Sequence, residues 1–196
     1  MNHYFIENPT LLTNERELKL EIFGHKFRFL TNNGLFSCDK IDDASLLLIK
    51  NMPPIKGALL DLGCGYGVIG TVLAKVHGVK LTQSDVNRVA LGYAERNAKL
   101  NGVETTIIHS DSFDNISSKF DNIILNPPIH AGKAVMYRMY EDSARHLNPG
   151  GALFIVIQKK HGADSTIKKL TDIFADCDVL YKKKGYFIIR CLACGS

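Results

Sequence analysis

Asn126, Pro127 and Pro128 follow a run of apolar residues, and together they could hold an amino group. Amino groups on aromatic bases or carbonyls are poor nucleophiles, because their nitrogen lone pair is delocalised. The side-chain oxygen of Asn126 and the backbone carbonyl of Pro127 could accept both hydrogens of such a group and align its nitrogen for attack. Two consecutive prolines fix φ, so the second carbonyl loses little entropy when it binds. The segment by itself also fits a rigid loop after a strand.

A glycine loop lies about 65 residues earlier, at Asp61-Leu62-Gly63-Cys64-Gly65-Tyr66-Gly67. Alternating glycines let a backbone turn tightly and approach a ligand, and the following helix points its N–H groups at the same place. A glycine loop of this kind fits NAD, FAD or S-adenosylmethionine equally well. The sixth position from Gly63 is Val68, whereas the dinucleotide fingerprint requires a small residue there. Asp61 would repel a pyrophosphate and attract an ammonium and a sulfonium, which favours S-adenosylmethionine. The predicted cofactor-binding residues of the loop are Asp61, Gly63, Cys64, Gly65 and Gly67.

Further acidic residues end the next two predicted strands. Asp85 could accept hydrogen bonds from both ribose hydroxyls, and Val86 could pack on the adenine face. Asp111 could accept from the adenine amino group, while the backbone N–H of Ser112 could meet a ring nitrogen. Each aspartate alone also fits an ordinary turn or helix cap. Three acids at successive strand ends favour the cofactor interpretation.

Strands and helices must alternate for these loops to meet. The pattern predicts an α/β, Rossmann-like sheet of seven mostly parallel strands, with helices on both faces and one antiparallel strand in a final hairpin. An N-terminal β-hairpin turns at Gly24-His25, and Asp42 or Asp43 caps a helix that stops at Pro53-Pro54. The predicted strands are 58–62, 80–84, 105–109, 122–125, 152–158, 178–182 and 186–192, and the helices of the sheet region are 68–77, 87–100, 134–147 and 164–175.

The 196 residues, 45% hydrophobic and 22% charged, predict a single domain over 1–196, with the hairpin and a lid in 1–40 and the catalytic core in 41–196. The net charge of +4 fits a polyanionic partner without requiring one. We expect a cytoplasmic protein without a membrane span or signal peptide. The five cysteines are scattered, and the lone pair Cys191 and Cys194 lacks a second pair, so we predict no metal site.

The glycine loop, Asp85, Asp111 and Asn126-Pro127-Pro128 resemble the amino-methylating branch of class I S-adenosylmethionine-dependent methyltransferases. Residues 18–192 are similar to the small methyltransferase domain group, which includes ribosomal RNA guanine-N2 methyltransferases of the RsmC type. Residues 31–37 resemble the segment that lies over the cofactor in that group, so Phe36 and Ser37 are candidate lid residues. Ile129 departs from the pattern, because this branch usually places an aromatic residue there to stack on the base.

The resemblance implies catalytic roles for Asn126, Pro127 and Pro128, with Asn126 also next to the cofactor. It implies that Ile129, His130 and Lys133 bind substrate. His130 fits either a proton acceptor or a plain loop residue. The resemblance implies that the partner is ribosomal RNA, bound by a monomer or homodimer. Predicted phosphate contacts are Lys133, Lys159, Lys160, Lys168 and Lys169, of which the last two equally fit a solvated helix face.

Four functions remain open from the sequence. The first is methylation of guanine N2 in RNA, with the base extruded into the pocket. The second keeps the chemistry but methylates adenine N6 or a protein glutamine. The third is a nicotinamide-dependent enzyme, against which Asp61 and Val68 argue. The fourth is a non-catalytic RNA-binding or assembly factor that retains the fold.

Overall fold

The computed structural model describes residues 14–193, and Cys194 of the C-terminal cysteine pair lies outside this range. Within the described residues, the first elements are the two strands of the predicted hairpin, β1 (Glu15–Ile22) and β2 (His25–Asn32), which extends further at both ends than the sequence indicated. Phe23 and Gly24 both take positive φ, 51° and 75°. Positive φ at both central positions matches the twist of a two-residue hairpin turn.

The predicted seven-stranded sheet is confirmed, in the order β5-β4-β3-β6-β7-β9-β8. Only β9 runs antiparallel to its neighbours, β7 and β8. The strands are β3 (Ala58–Leu62), β4 (Lys80–Asp85), β5 (Thr105–His109), β6 (Phe120–Leu125), β7 (Leu147–Gln158), β8 (Asp176–Lys183) and β9 (Tyr186–Leu192). The helices are α1 (Asp43–Asn51), α2 (Val68–His77), α3 (Arg88–Leu100), α4 (Lys133–Arg145) and α5 (Ala163–Thr171).

Two apolar clusters cover the two faces of the sheet. Successive side chains of a strand point to opposite faces, so Leu59 of β3 joins the cluster beneath α1, α2 and the hairpin. Leu60 joins the opposite cluster, which includes Met139 and Tyr140 of α4 and Leu170 of α5. The sheet is therefore buried on both faces, as a parallel sheet requires. No helix within residues 14–193 is long and apolar enough to cross a membrane.

Two helix boundaries differ from the prediction by more than one residue. Helix α4 ends at Arg145, and Leu147 already belongs to β7, so the predicted helix end at 147 was wrong. Leu147 is buried and pairs with Phe120, whose N–H donates to the carbonyl of His146. Sheet pairing thus begins before Pro149-Gly150-Gly151, at a β-bulge. Helix α5 ends at Thr171 rather than at 175, because the chain turns to bring the N–H of Ala175 to the carbonyl of Leu192.

Two asparagines of α3 attach the hairpin to the rest of the domain. The side-chain amide of Asn97 accepts from the N–H of Leu30 at 2.7 Å and donates to its carbonyl at 2.9 Å. Asn101, one helical turn later, does the same for Arg28 at 3.0 and 2.8 Å. The buried Asn97 also donates to the carbonyl of Tyr66 in the glycine loop. Helix α3 thereby supplies the outer edge of β2 with the hydrogen bonds that another strand would give.

Candidate active site

The loops after β3, β4 and β6 meet at the carboxyl edge of the sheet, because β3 lies between β4 and β6. Here the strand order reverses, which is where α/β sheets bind ligands. The N–H groups of Gly63 and Cys64 donate to the carbonyl of Ser84 at 2.8 and 2.9 Å. The N–H of Gly65 donates to Asp85 Oδ2 at 2.8 Å. These bonds fix the glycine loop, residues 61–67, against the end of β4.

The three glycines of the loop divide into two kinds. All take positive φ: 69° at Gly63, 56° at Gly65 and 87° at Gly67. A Cβ at Gly67 would lie 2.6 Å from Nε2 of Gln83 and 3.0 Å from Cα of Ala94, so this glycine lets the loop pack on α3. A Cβ at Gly63 or Gly65 would meet no atom of the described chain within 4 Å. Gly63 and Gly65 therefore leave backbone exposed on the side where a ligand can approach.

We predict that Gly65→Ala weakens cofactor binding by about 10-fold, because the added methyl group narrows the space beside the loop. Gly24→Ala is the matched control, since Gly24 also has positive φ and no atom within 4 Å of its Cβ position, but lies in the hairpin turn. Both variants should lose about 1–2 kcal/mol of stability from the left-handed backbone. Calorimetry with S-adenosylhomocysteine and thermal melts measure the two effects. Equal affinities of the two variants would refute the assignment of Gly65.

The carboxyl group of Asp61 lies beneath the loop and is only 2% exposed. Its Oδ2 accepts from the N–H of Gly70 at 2.8 Å. Helix α2 starts after Gly67 without a side-chain cap, so Asp61 satisfies one of its free N–H groups from the neighbouring strand. Burial raises the pKa of Asp61 to about 7, and the nearby Asp85 adds to the rise, while the bonds from Gly70 and Gln83 oppose it. Asp61 thus titrates near neutral pH.

This pKa predicts a pH-dependent affinity for a cationic ligand. The folded pKa lies above the ordinary value of 3.8, so the contribution of Asp61 to stability is complete below that value and is lost as pH rises towards 7. A bound cation favours the ionised carboxylate, so affinity for S-adenosylmethionine should rise between about pH 5.5 and pH 7.5, below the ordinary α-amino pKa of ~7.7–8.0. Calorimetry across this range checks it, and Asp61→Asn should flatten the profile. Equal profiles for wild type and variant would contradict the role of Asp61.

Asp85 uses both carboxylate oxygens to hold the chain. Oδ2 accepts from Gly65, as described, and Oδ1 accepts from the N–H of Asn87 at 2.8 Å. Burial raises the pKa of Asp85, and the N–H donors of Asn87, Gly65 and Val86 counteract the rise. A carboxylate has about four acceptor sites, so Asp85 can still accept a hydrogen bond from a ribose hydroxyl. Val86 is 37% exposed at the same edge, so its side chain is accessible to a ligand.

Cys64 is a thiol in the loop that does not fit nucleophilic chemistry. Its Sγ donates to the carbonyl of Gly65 at 3.4 Å. Burial, together with Asp61 and Asp85, raises the pKa of the Cys64 thiol well above its ordinary value. The thiol is therefore protonated at neutral pH, and only a thiolate is an effective nucleophile. Cys64 remains a predicted cofactor contact through its backbone.

The loop after β5 is held by a residue that sequence reasoning missed. Arg138 of α4 donates to the backbone carbonyl of Asp111 at 3.0 Å and lies 3.5 Å from its carboxylate. It also pairs with Asp114 at 3.0 Å. The Asp111 side chain is largely exposed, whereas Ser112 is buried with φ of 50°. The predicted adenine contacts of Asp111 and Ser112 stay predictions.

Asn126 is oriented by the N-cap residue of α1 and by a residue of its first turn. Its Nδ2 donates to Asp42 Oδ2 at 2.9 Å and lies 3.2 Å from Ser45 Oγ. A carboxylate can only accept, so the NH₂ end of the amide must face Asp42. No donor among the described residues reaches Oδ1 of Asn126, and this oxygen is not among their buried unpartnered atoms. The amide therefore offers an acceptor, rather than a donor, to a substrate.

The segment after Asn126 forms a single turn of 3-10 helix at Ile129–Ala131. Pro127 is buried and Pro128 exposed, so the backbone at Pro127 is held by packing. Ile129 is half-buried and packs against the α4 cluster. His130 and Lys133 are exposed. Substrate binding by Ile129, His130 and Lys133 stays a prediction.

The lid segment is linked to the glycine loop through Tyr66. The Tyr66 hydroxyl donates to the carbonyl of Ser37 at 3.2 Å, and the Ser37 hydroxyl donates to the carbonyl of Lys40 at 2.7 Å. Ser37 takes a positive φ of 58°. Phe36, which precedes Ser37, has a large apolar side chain that is 62% exposed. An exposed apolar side chain fits the predicted lid over a cofactor. The lid role of Phe36 stays a prediction.

Comparison with known proteins identifies the family. Residues 26–190 match the methyltransferase small domain family. The chain belongs to this family. The prediction of an S-adenosylmethionine-dependent methyltransferase is thereby confirmed, and the nicotinamide-dependent alternative was wrong. Uncharacterized protein YbxB of Bacillus subtilis is 41% identical over 194 residues, covering 96% of each chain.

The same comparison includes enzymes of ribosomal RNA. Ribosomal RNA small subunit methyltransferase C of Aeromonas hydrophila is 41% identical over 128 residues, or 63% of this chain and 37% of that protein. A solved structure of the T. thermophilus 16S rRNA N2 methyltransferase RsmC, with AdoMet and guanosine, is 27% identical with a TM-score of 0.82. It covers 92% of this chain and 51% of that one. The chain thus spans about half or less of the ribosomal RNA methyltransferases that it matches.

Proposed function

We propose that this methyltransferase acts on an exocyclic amino group of a nucleobase, N2 of guanine in ribosomal RNA. The orientation of Asn126 carries the proposal, because an outward oxygen next to the Pro127 carbonyl matches the two hydrogens of an NH₂ group. The T. thermophilus relative with guanosine in its structure supports guanine over other acceptors. A hydroxyl or a ring nitrogen could satisfy at most one of the two acceptors.

The residues of the site would act mainly by alignment. Bound S-adenosylmethionine supplies the electrophilic methyl group, and the residues that would hold it are the glycine loop, Asp85 and the lid. Asn126 and Pro127 would hold the substrate nitrogen so that its lone pair points at that methyl group. Their oxygens also stabilise the positive charge that develops on the nitrogen. The proton then leaves a cationic amine, so a strong base is unnecessary.

A basic surface beside the site supports an RNA substrate. A depression of about 450 Å³ is lined by Gln158, Lys159, Lys160, Lys184 and Gly185. The N–H of Lys159 donates to the carbonyl of Gly185 at 2.7 Å, which fixes the β8–β9 turn against β7. His161, next to Lys160, has its pKa lowered by burial, by Lys160 and by His130 of the substrate loop. Lys159 and Lys160 follow β7, which pairs with β6, the strand before Asn126, so they lie near the predicted amine site, where phosphates flanking an extruded base would pass.

Lys169 does not belong to this surface. It forms an ion pair with Glu141 and lies 5.5 Å over the ring of Tyr137, both on α4. Because its ammonium group is engaged by α4, Lys169 fits neither a phosphate contact nor a solvated helix face. Lys159 and Lys160 remain the proposed phosphate contacts.

The proposal is tested by methyl transfer to ribosomal RNA that lacks base methylation, followed by mass spectrometry of the nucleosides. We expect N2-methylguanosine as the product. If the product is instead N6-methyladenosine, or methylated glutamine in a ribosomal protein, the proposed acceptor is wrong but methyl transfer to an amino group stands. RNA binding without transfer to any acceptor would favour the non-catalytic assembly factor.

A further inference from the structure

A single carboxylate oxygen connects the start of α1 with the proposed catalytic amide. Asp42 Oδ2 accepts from the N–H of Ser45 at 3.0 Å and from its hydroxyl at 3.1 Å. The same oxygen accepts from Nδ2 of Asn126 at 2.9 Å. Ser45 is buried and lies 3.2 Å from that nitrogen, so its hydroxyl can donate to Asp42 and accept from Asn126. Four polar groups therefore satisfy one another across 84 residues of sequence.

We infer that Asp42 and Ser45 are positioning residues that hold the Asn126 amide with its oxygen towards the substrate. The inference rests on the proposed role of Asn126 in amine methylation. The terminal torsion of asparagine is broad and roughly two-fold, so an unrestrained amide would also present NH₂ to the substrate. A flipped amide would place its oxygen against the Asp42 carboxylate, which repels it. The carboxylate therefore selects the acceptor orientation before substrate arrives.

The surroundings keep Asp42 suited to this role. Asp42 is the N-cap of α1, and the N-terminus of a helix stabilises a negative charge. Tyr66 is a titratable neighbour of Asp42 on the side of the lid, and burial, Asp42 and Cys38 together raise the pKa of Tyr66. The Tyr66 hydroxyl donates to the carbonyl of Ser37, so it does not compete with Asn126 for the Asp42 carboxylate. Asp43, the next residue, instead pairs with exposed Lys40.

Asp42→Ser separates positioning from capping. Serine is as good an N-cap as aspartate, so α1 should keep its stability. Its shorter side chain no longer reaches Asn126, so kcat should fall about 10- to 100-fold, the effect of a misplaced reacting group. The affinity for S-adenosylhomocysteine should change less than about 2-fold, because the glycine loop is untouched. Asp43→Ser is the matched control, and it should leave kcat and affinity unchanged.

An exchange of the two side chains provides a rescue. Asn126→Asp places a second carboxylate against Asp42 and should strongly reduce kcat, to a residual value that single-turnover kinetics can still measure. Adding Asp42→Asn replaces the opposing carboxylate with a neutral amide, which removes the repulsion between the two side chains. The double variant should regain at least about 10-fold in kcat over Asn126→Asp alone. Additive losses, with no recovery, would overturn the positioning role.

A second readout is independent of the acceptor. In protein with ¹⁵N-labelled asparagine, the side-chain NH₂ signals of Asn126, assigned by their loss in Asn126→Ala, should exchange slowly with water. In Asp42→Ser these signals should exchange rapidly, and in Asp43→Ser they should remain slow. Rapid exchange in the wild type would overturn the inference even if RNA is methylated. A third outcome separates the two proposals. If exchange is slow in the wild type and fast in Asp42→Ser, but the protein methylates no amine, the proposed function is overturned while the inferred orientation of Asn126 stands.

Discussion

Asn126→Ala should lower kcat for methyl transfer by about 10²-fold or more, the usual cost of removing one hydrogen bond made to developing charge. The variant loses one of the two acceptors that align the amine, while the Pro127 carbonyl stays in place. The glycine loop, Asp61 and Asp85 do not depend on this side chain, so affinity for S-adenosylmethionine should remain largely intact. Single-turnover kinetics and calorimetry on the same preparation separate the two effects.

Asn51→Ala is the control for Asn126→Ala. Asn51 is also half-buried and donates through Nδ2, in its case to the carbonyl of Leu47 at the end of α1. Its loss should lower stability slightly without affecting turnover. Full activity of Asn126→Ala on the true acceptor would show that the nitrogen is held by other groups.

Asp85→Ala should raise the dissociation constant for S-adenosylmethionine by about 10²-fold, which corresponds to ~2.7 kcal/mol. The substitution removes the predicted ribose acceptor and also frees the N–H groups of Gly65 and Asn87. The glycine loop would lose its anchor to β4, so binding should suffer more than from the loss of a single ligand contact. Calorimetry with S-adenosylhomocysteine measures the change.

Asp114→Ala provides the comparison for Asp85→Ala. Asp114 lies in the following loop, is exposed and pairs with Arg138. The Asp114→Ala variant should bind cofactor as tightly as the wild type does, since exposed ion pairs contribute little to stability. If Asp85→Ala binds as tightly as Asp114→Ala, the ribose assignment is wrong.

The elements around the glycine loop were predictable from sequence because their signals are local. β3 and α2 have the predicted bounds, since an apolar strand, a glycine turn and an apolar helix follow one another without ambiguity. The loops meet as expected because strand ends in a parallel sheet share an edge. Gly67 could be expected to turn the chain, whereas its close approach to Ala94 depends on how α3 packs.

The contacts that orient the site were not predictable, because they join distant segments. Asp42 could be recognised as a helix cap, but nothing near it in sequence indicates Asn126. Arg138 reads as one charge on an amphipathic helix until α4 is placed beside the loop after β5. The early start of β7 at Leu147 follows from pairing with Phe120, which overrides the proline and glycines that come next.

Because β2 is attached to α3, the protection of the Arg28 and Leu30 amide hydrogens from solvent exchange depends on two side chains of that helix. Both amide hydrogens face away from β1, where an edge strand would normally exchange them with water within seconds to minutes, yet Asn101 and Asn97 accept them. Deuterium uptake at Leu30 should be slow in the wild type and fast in Asn97→Ala, while Phe29, buried between them, reports on the hairpin itself. Asn97 also donates to the carbonyl of Tyr66, so slow deuterium uptake at Leu30 would indicate that the glycine loop is held in place by the same side chain.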